Sequence, residues 1–140
     1  MKKYFHFFLA VNLFLLLSGC GDEKEVNEGP DPEVDLPIGK VEWEETAFDF
    51  GNITSGEEVS HKFTFRNNGD KDIKIYRVKP SCSCTAGEWT KEIIPPGGQG
   101  VVELKFDSKG KKGKVSKSAR VLMNTDPKYQ ELKFQAMIEE

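Results

Sequence analysis

Apolar and polar residues alternate with a period of two through most of this chain from residue 40 onward. In "VSHKFTF", Val59, His61, Phe63 and Phe65 share one face, and Ser60, Lys62 and Thr64 share the other. "VELKF" aligns Val102, Leu104 and Phe106, and "LKFQAMI" aligns Leu132, Phe134, Ala136 and Ile138. "VSKSARVLM" places Val115, Ala119, Val121 and Met123 together, with Lys117 as the one polar intruder. Alternation of this kind marks half-buried strands of an antiparallel sheet, because successive side chains point to opposite faces. The runs are separated by "NNGD", "IPPGGQG", "DSKGKKG" and "NTDP", all rich in turn-forming residues. The pattern predicts seven strands, over 41–45, 48–53, 59–66, 73–79, 101–106, 115–124 and 129–138. No segment longer than ten residues carries a helical period. Short strands at this spacing over about 100 residues predict an all-β, immunoglobulin-like antiparallel β-sandwich, here without distant cysteines bridging the sheets.

The first twenty residues follow a different rule. "MKKYFHFFLAVNLFLLLSGC" has a basic start, an apolar middle and small residues before Cys20, the layout of a secretory signal. Read instead as a membrane span, residues 4–19 are too short, since about 20 residues are needed to cross a bilayer. "LSGC" resembles the lipobox of bacterial lipoproteins. That resemblance implies a signal peptide over 1–19 and lipid on Cys20, which becomes the new N-terminus. Two acyl chains suffice for stable anchoring. With Cys20 assigned to lipid, Cys82 and Cys84 remain for a non-reducing compartment.

Residues 21–40 contain seven acidic residues and three prolines and no aromatic residue. They read as a disordered tether, because little apolar surface is available to offset the cost of ordering the chain. Extended, such a tether reaches about 60 Å. Acidic residues directly after the cysteine also look like surface-export signals of some Gram-negative lipoproteins, or serve as a solvating linker. These features predict a lipid-anchored protein of the bacterial cell envelope, at the outer membrane, with the leaflet open.

The chain carries 20 basic and 23 acidic residues, and from Lys40 onward 17 and 16. A nucleic-acid-binding domain usually shows a basic excess, so no nucleic-acid partner is expected. After signal removal the sole histidine is His61, on the apolar face of its strand, where a structural role is expected. Glu42, Glu44 and Glu45 alternate faces of one strand rather than flanking a cleft. No nucleophile elbow, phosphate loop or metalloprotease motif appears. The chain is expected to be no enzyme and to need no cofactor. "SKGKKGKVSK" gathers Lys109, Lys111, Lys112, Lys114 and Lys117 around two glycines. It reads as a solvated hairpin tip, with contact to phosphate or an anionic sugar as the alternative. Asn52 opens a glycosylation sequon, idle in a bacterial lipoprotein.

In "KPSCSCTAGEW", Cys82 and Cys84 lie one residue apart. In a straight strand their Cα atoms stand roughly 6.6–7.2 Å apart on one face, at the upper edge of the disulfide range. Pro80 before the pair and Ala86-Gly87 after it suggest a bend that shortens the gap. A bent segment permits a local disulfide. A straight one leaves two thiols suited to redox chemistry or to a soft ion such as Cu(I), or simply unpaired. Zinc needs about four ligands, more than this pair and one distant histidine supply.

Phe50-Gly51, the F-x-F-x-N-x-G of Phe63 to Gly69, the Ser-Cys-x-Cys-Thr of Ser81 to Thr85, Pro96-Gly97 and Phe106-Asp107 carry a resemblance. Together they resemble a bacterial domain-of-unknown-function family whose members are often lipoproteins. That family is related to Hydin-like and major-sperm-protein-like immunoglobulin folds. Its middle residue between the cysteines is commonly glycine, and here it is Ser83. The resemblance covers about 45–138, and implies fold and envelope location but no activity. The expected function is therefore a lipid-anchored binding or structural module with a protein or glycan partner. The alternative is a thiol-redox or copper-handling lipoprotein using Cys82 and Cys84.

Overall fold

The computed structural model describes residues 29–140. The signal over 1–19, Cys20 and residues 21–28 lie outside the described residues. Eight strands form: β1 (Val41–Trp43), β2 (Ala47–Thr54), β3 (Glu58–Asn67), β4 (Ile75–Pro80), β5 (Thr85–Trp89), β6 (Gln99–Asp107), β7 (Gly113–Met123) and β8 (Tyr129–Glu139). No helix occurs among the described residues. Two four-stranded sheets pack face to face, in the orders β1-β3-β6-β5 and β2-β8-β7-β4.

The alternation explains the packing. Phe63, Phe65, Val102, Leu104 and Phe106 point inward from the first sheet and are fully buried. Val121, Met123, Leu132, Phe134, Ala136 and Ile138 face them from the second. Phe106 and Phe134 meet across the gap with ring centroids 5.3 Å apart. Each such side chain contributes about 1.5–3 kcal/mol on burial. Gly100 lets Phe65 seat, since a Cβ at that position would lie 2.3 Å from the Phe65 ring. Lys117 points toward the core but stays half-buried, beyond the last β4 residue paired with β7, Pro80 opposite Ala119.

Each of the seven expected strands is present, and β5 is additional. The sandwich is mixed rather than purely antiparallel, because β2 runs parallel to β8. The chain leaves the first sheet after β1 and joins the second at β2 within three residues. Glu44 N–H donates to Thr64 O on one side (3.0 Å), and Thr46 O accepts from Lys133 N–H on the other (2.9 Å). A period of two reports that a strand is half-buried, not which way its neighbour runs.

The expected free tether to residue 40 is corrected over residues 29–40, which lie as a strap along the sandwich. Arg77 donates to the carbonyls of Gly29 and Pro30 and to the Asp31 carboxylate. Tyr129 donates to Asp31, and Tyr76 to Asp35. Asn124 donates to Pro37 O at 2.7 Å, and Gly39 N–H donates to Asn124 O at 2.8 Å. Composition undervalues this segment because its contacts are polar and long-range. Leu122 shows the effect: it points away from the core, between Arg77 and Tyr129, yet is 2% exposed.

Candidate functional site

Cys82 and Cys84 sit where the chain passes from one sheet to the other. β4 ends at Pro80 in the second sheet, and β5 begins at Thr85 in the first. Pro80 lacks an amide proton and favours an extended residue before it, which suits a strand end. The four residues between are pinned to both sheets. Ser81 N–H donates to Ser118 O (2.8 Å), and Ser118 N–H returns a bond to Ser81 Oγ (3.1 Å). Asp107 N–H donates to Cys84 O on the opposite side (3.0 Å).

Thr85 N–H donates to Cys82 O at 3.2 Å and closes a turn through the cysteines. That bend brings the Cα atoms to 5.3 Å, inside the disulfide range and shorter than a straight strand allows. The sulfurs are joined as a disulfide. Both cysteines are half-buried, Cys84 packs on the core, and Cys82 Sγ lies 3.5 Å from the Oγ1 of buried Thr85. Oxidised, the pair has no thiolate to offer as nucleophile or ligand. Reduced, it presents two adjacent thiols at the sheet edge. Among the described residues no group of three or more His, Cys, Asp or Glu side chains is placed to hold a metal ion.

The other residues singled out by the sequence do not converge on this turn. His61 stacks on Phe48 with centroids 3.6 Å apart, meets Phe63 edge-on at 4.8 Å, and contacts Glu45 Oε1 through Nε2 at 2.7 Å. It closes one margin of the sandwich between β2 and β3. Of the three glutamates, Glu45 is engaged there and Glu42 lies 3.5 Å from the Asn68 amide. Asn52 donates to Glu139 at 2.6 Å.

The lysine hairpin joins β6 to β7, with Gly110 and Gly113 at positive φ. Lys109, Lys112 and Lys114 are exposed, and Lys111 is half-buried. Its base is fixed by Ser108, whose hydroxyl is buried against Thr54 O (3.0 Å) and Glu57 O (2.7 Å).

Two asparagines carry roles that strand patterns do not reveal. Asn67 is fully buried, donates to Lys71 O (2.8 Å) and Ile94 O (3.0 Å), and accepts from Gly69 N–H (3.1 Å). Asn124, 1% exposed, donates to Pro37 O and Asp72 O and accepts from Lys74 N–H. Asn67 ends β3, Asn124 directly follows β7, and each ties several loops together. The available signal was an asparagine at the boundary between a strand and a turn cluster.

The strap has its own electrostatics. The Tyr129 hydrogen bond, with Arg77 and Arg120 nearby, holds the Asp31 carboxyl below its ordinary pKa, and Tyr76 does the same for Asp35. Burial and the bond to Asp35 push the Tyr76 phenol up. The bond to Asp31 pushes Tyr129 up.

The family profile described as protein of unknown function (DUF1573) matches residues 41–138. No curated protein matches significantly. A Porphyromonas gingivalis protein of unknown function has a similar structure, with TM-score 0.63 and 19% identity over 72% of this chain. This chain spans 47% of that protein, about half its length. The ASH / PapD-like domain 7 of human CEP192 is similar over 82% of this chain and 96% of its own, at TM-score 0.59 and 15% identity. The Vibrio cholerae VesB protease matches 71% of this chain through 32% of its own length, at TM-score 0.56 and 13% identity. These likenesses establish an immunoglobulin-like, PapD-like sandwich.

Proposed function

The chain belongs to the DUF1573 family of proteins of unknown function, and from that premise we propose that it is a lipid-anchored, non-catalytic binding or structural module of the bacterial envelope. One observation carries the non-catalytic part. His61 Nε2 contacts Glu45, and the side chains of Asn67, Asn124 and Ser108 are engaged in holding the sandwich. The envelope part rests on the basic-apolar-small layout ending in "LSGC". Lipid on Cys20 would hold the mature chain at a membrane, the outer membrane by this reading, through its own N-terminus. A protein or glycan of the envelope would be its partner.

The test is to express the full chain in a bacterium with a fatty-acid analogue, beside Cys20→Ala. Label on the wild type and none on the variant is expected, and equal labelling would remove the anchor. Pull-down from detergent-solubilised membranes then identifies the partner.

A second reading has its own observation, the half-buried Cys82–Cys84 pair at the sheet edge. If it serves thiol redox or copper handling, the reduced protein should bind Cu(I) at one equivalent and the oxidised protein should not. Equal, weak binding by both forms would eliminate it.

A further inference from the structure

Tyr76 is the residue that β4 does not pair. Ile75 lies opposite Met123 and Arg77 opposite Leu122, so Tyr76 is the extra residue of a bulge. Bulges re-aim a side chain, and this one presents a phenol to the strap. Its oxygen donates to the Asp35 carboxylate and accepts from the Asp35 and Leu36 amides, both at 3.2 Å. Arg77, next along, holds two strap carbonyls and Asp31, and Tyr129 holds the second Asp31 oxygen. Arg120 and Lys128 lie over the Tyr129 ring, 5.3 and 5.1 Å from its centroid. The sheet surface thus matches the strap in charge and in backbone hydrogen bonding.

These bonds sit at the surface. Asp31 and Asp35 are exposed, Arg77 and Tyr129 half-buried, and Leu122 lies between the latter two on the sheet. Such contacts are individually weak, and segments held by them open locally without global unfolding. From Gly39 onward the chain is fixed more firmly, by the backbone bond to Asn124 and the bridge to Thr125.

The geometry points to a releasable clamp on the lipid tether, and this inference rests on the anchor reading above. With the strap docked, residues 29–36 lie against the sheet and add nothing to the distance between Cys20 and the domain. With it released as far as the Pro37 carbonyl held by Asn124, those eight residues join the tether and add about 25 Å of reach at about 3.1 Å per residue. The sandwich is the same in both states. What changes is how far from the bilayer its loops can work.

The full chain, lipidated in a bacterium and placed in phosphatidylcholine vesicles, tests this with Asp31→Ala/Asp35→Ala as the released form. That variant leaves every sandwich side chain in place. Two readings are taken. Hydrogen exchange at the Asp35 and Leu36 amides reports the clamp, and slowing in the wild type of at least about tenfold over the variant is expected. Energy transfer from a fluorescent amino acid at Lys111 to labelled lipid reports height, and a fall of about twofold or more on release is expected. Equal exchange in both proteins overturns the clamp, and so does unchanged transfer once the amides are freed. Flotation of Cys20→Ala with the vesicles as efficiently as the wild type overturns the anchor instead. The amide reading separates the two failures.

Discussion

The phenol of Tyr129 donates a hydrogen bond to the carboxylate of Asp31, 98 positions earlier in the chain. Tyr129 and Arg77, which both hold Asp31, flank Leu122 on the outer face of the sheet, where it is 2% exposed. A chain that begins at Lys40 should therefore be less stable than one that begins at Gly21. It uncovers part of a leucine and removes the Pro37 carbonyl from Asn124. The expected cost is about 1–2 kcal/mol, or a fall in melting temperature of roughly 4–8 °C per kcal/mol for a domain near this size. Identical melting curves would show that the strap adds nothing.

The strap should also be sensitive to pH at both ends. The Asp31 and Asp35 pKa values are lowered from 3.8 on docking, so their contribution is present above that value and is lost as pH falls through the folded pKa. The Tyr76 and Tyr129 values are raised from 10.0, so their contribution is present below 10.0 and is lost as pH rises through the folded pKa. Protection of the Leu36 amide should hold across neutral pH and fall off on both sides. Asp31→Asn/Asp35→Asn should flatten the acid limb. A profile that is the same in wild type and variant would assign the acid loss to other groups.

Asn67→Ala should be among the most damaging single changes. It strands the Ile94 carbonyl, and beside it the Lys71 carbonyl and the Gly69 amide, with a loss of about 2–4 kcal/mol expected. Urea unfolding of the variant measures this, and a loss under about 1 kcal/mol would mean that water replaces the amide. Asn68→Ala, one residue on and exposed, is the control and should be near neutral.

Protein recovered from the envelope should carry Cys82 bonded to Cys84, and reduction should leave the sandwich folded. The loop closed holds only three residues, so loop entropy gives about 1.6 kcal/mol, below the usual range of about 2–4 kcal/mol. The backbone bonds of Ser81 to Ser118 and of Asp107 to Cys84 do not run through the sulfurs. Intact mass with and without alkylation reports the pairing, and two freely alkylated thiols would refute it. Unfolding curves report the rest: loss of a cooperative transition on reduction would show that the turn depends on its crosslink.

How much of this was legible depended on where each residue keeps its partner. Phe63 and Phe65 announce β3 because burial recurs at every second residue of one short run. β5 was invisible for the same reason. Thr85, Gly87 and Trp89 alternate on its covered face, and only Trp89 reads as a large apolar residue. Gly87 is there because a Cβ would come within 2.7 Å of Val78 Cγ1. At the cysteine turn, Pro80 and Gly87 gave the bend, but nothing nearby in the chain named Ser118 or Asp107 as its supports. The strap was least legible, since its acidic residues look solvated until Arg77, Tyr76 and Tyr129 are brought beside them.

The parallel alignment of β2 with β8 has a mechanical meaning. Ala47 lies beside Lys133 and Thr54 beside Glu139, so the two strands run side by side in one direction. Tension between the N-terminal end of β2 and the C-terminal end of β8 therefore acts along the strands, and the hydrogen bonds between them are sheared together rather than peeled one by one. A load entering at the start of β2 and leaving at the end of β8 would meet the ladder on both sides of the irregularity between Asp49 and Asn52 at once.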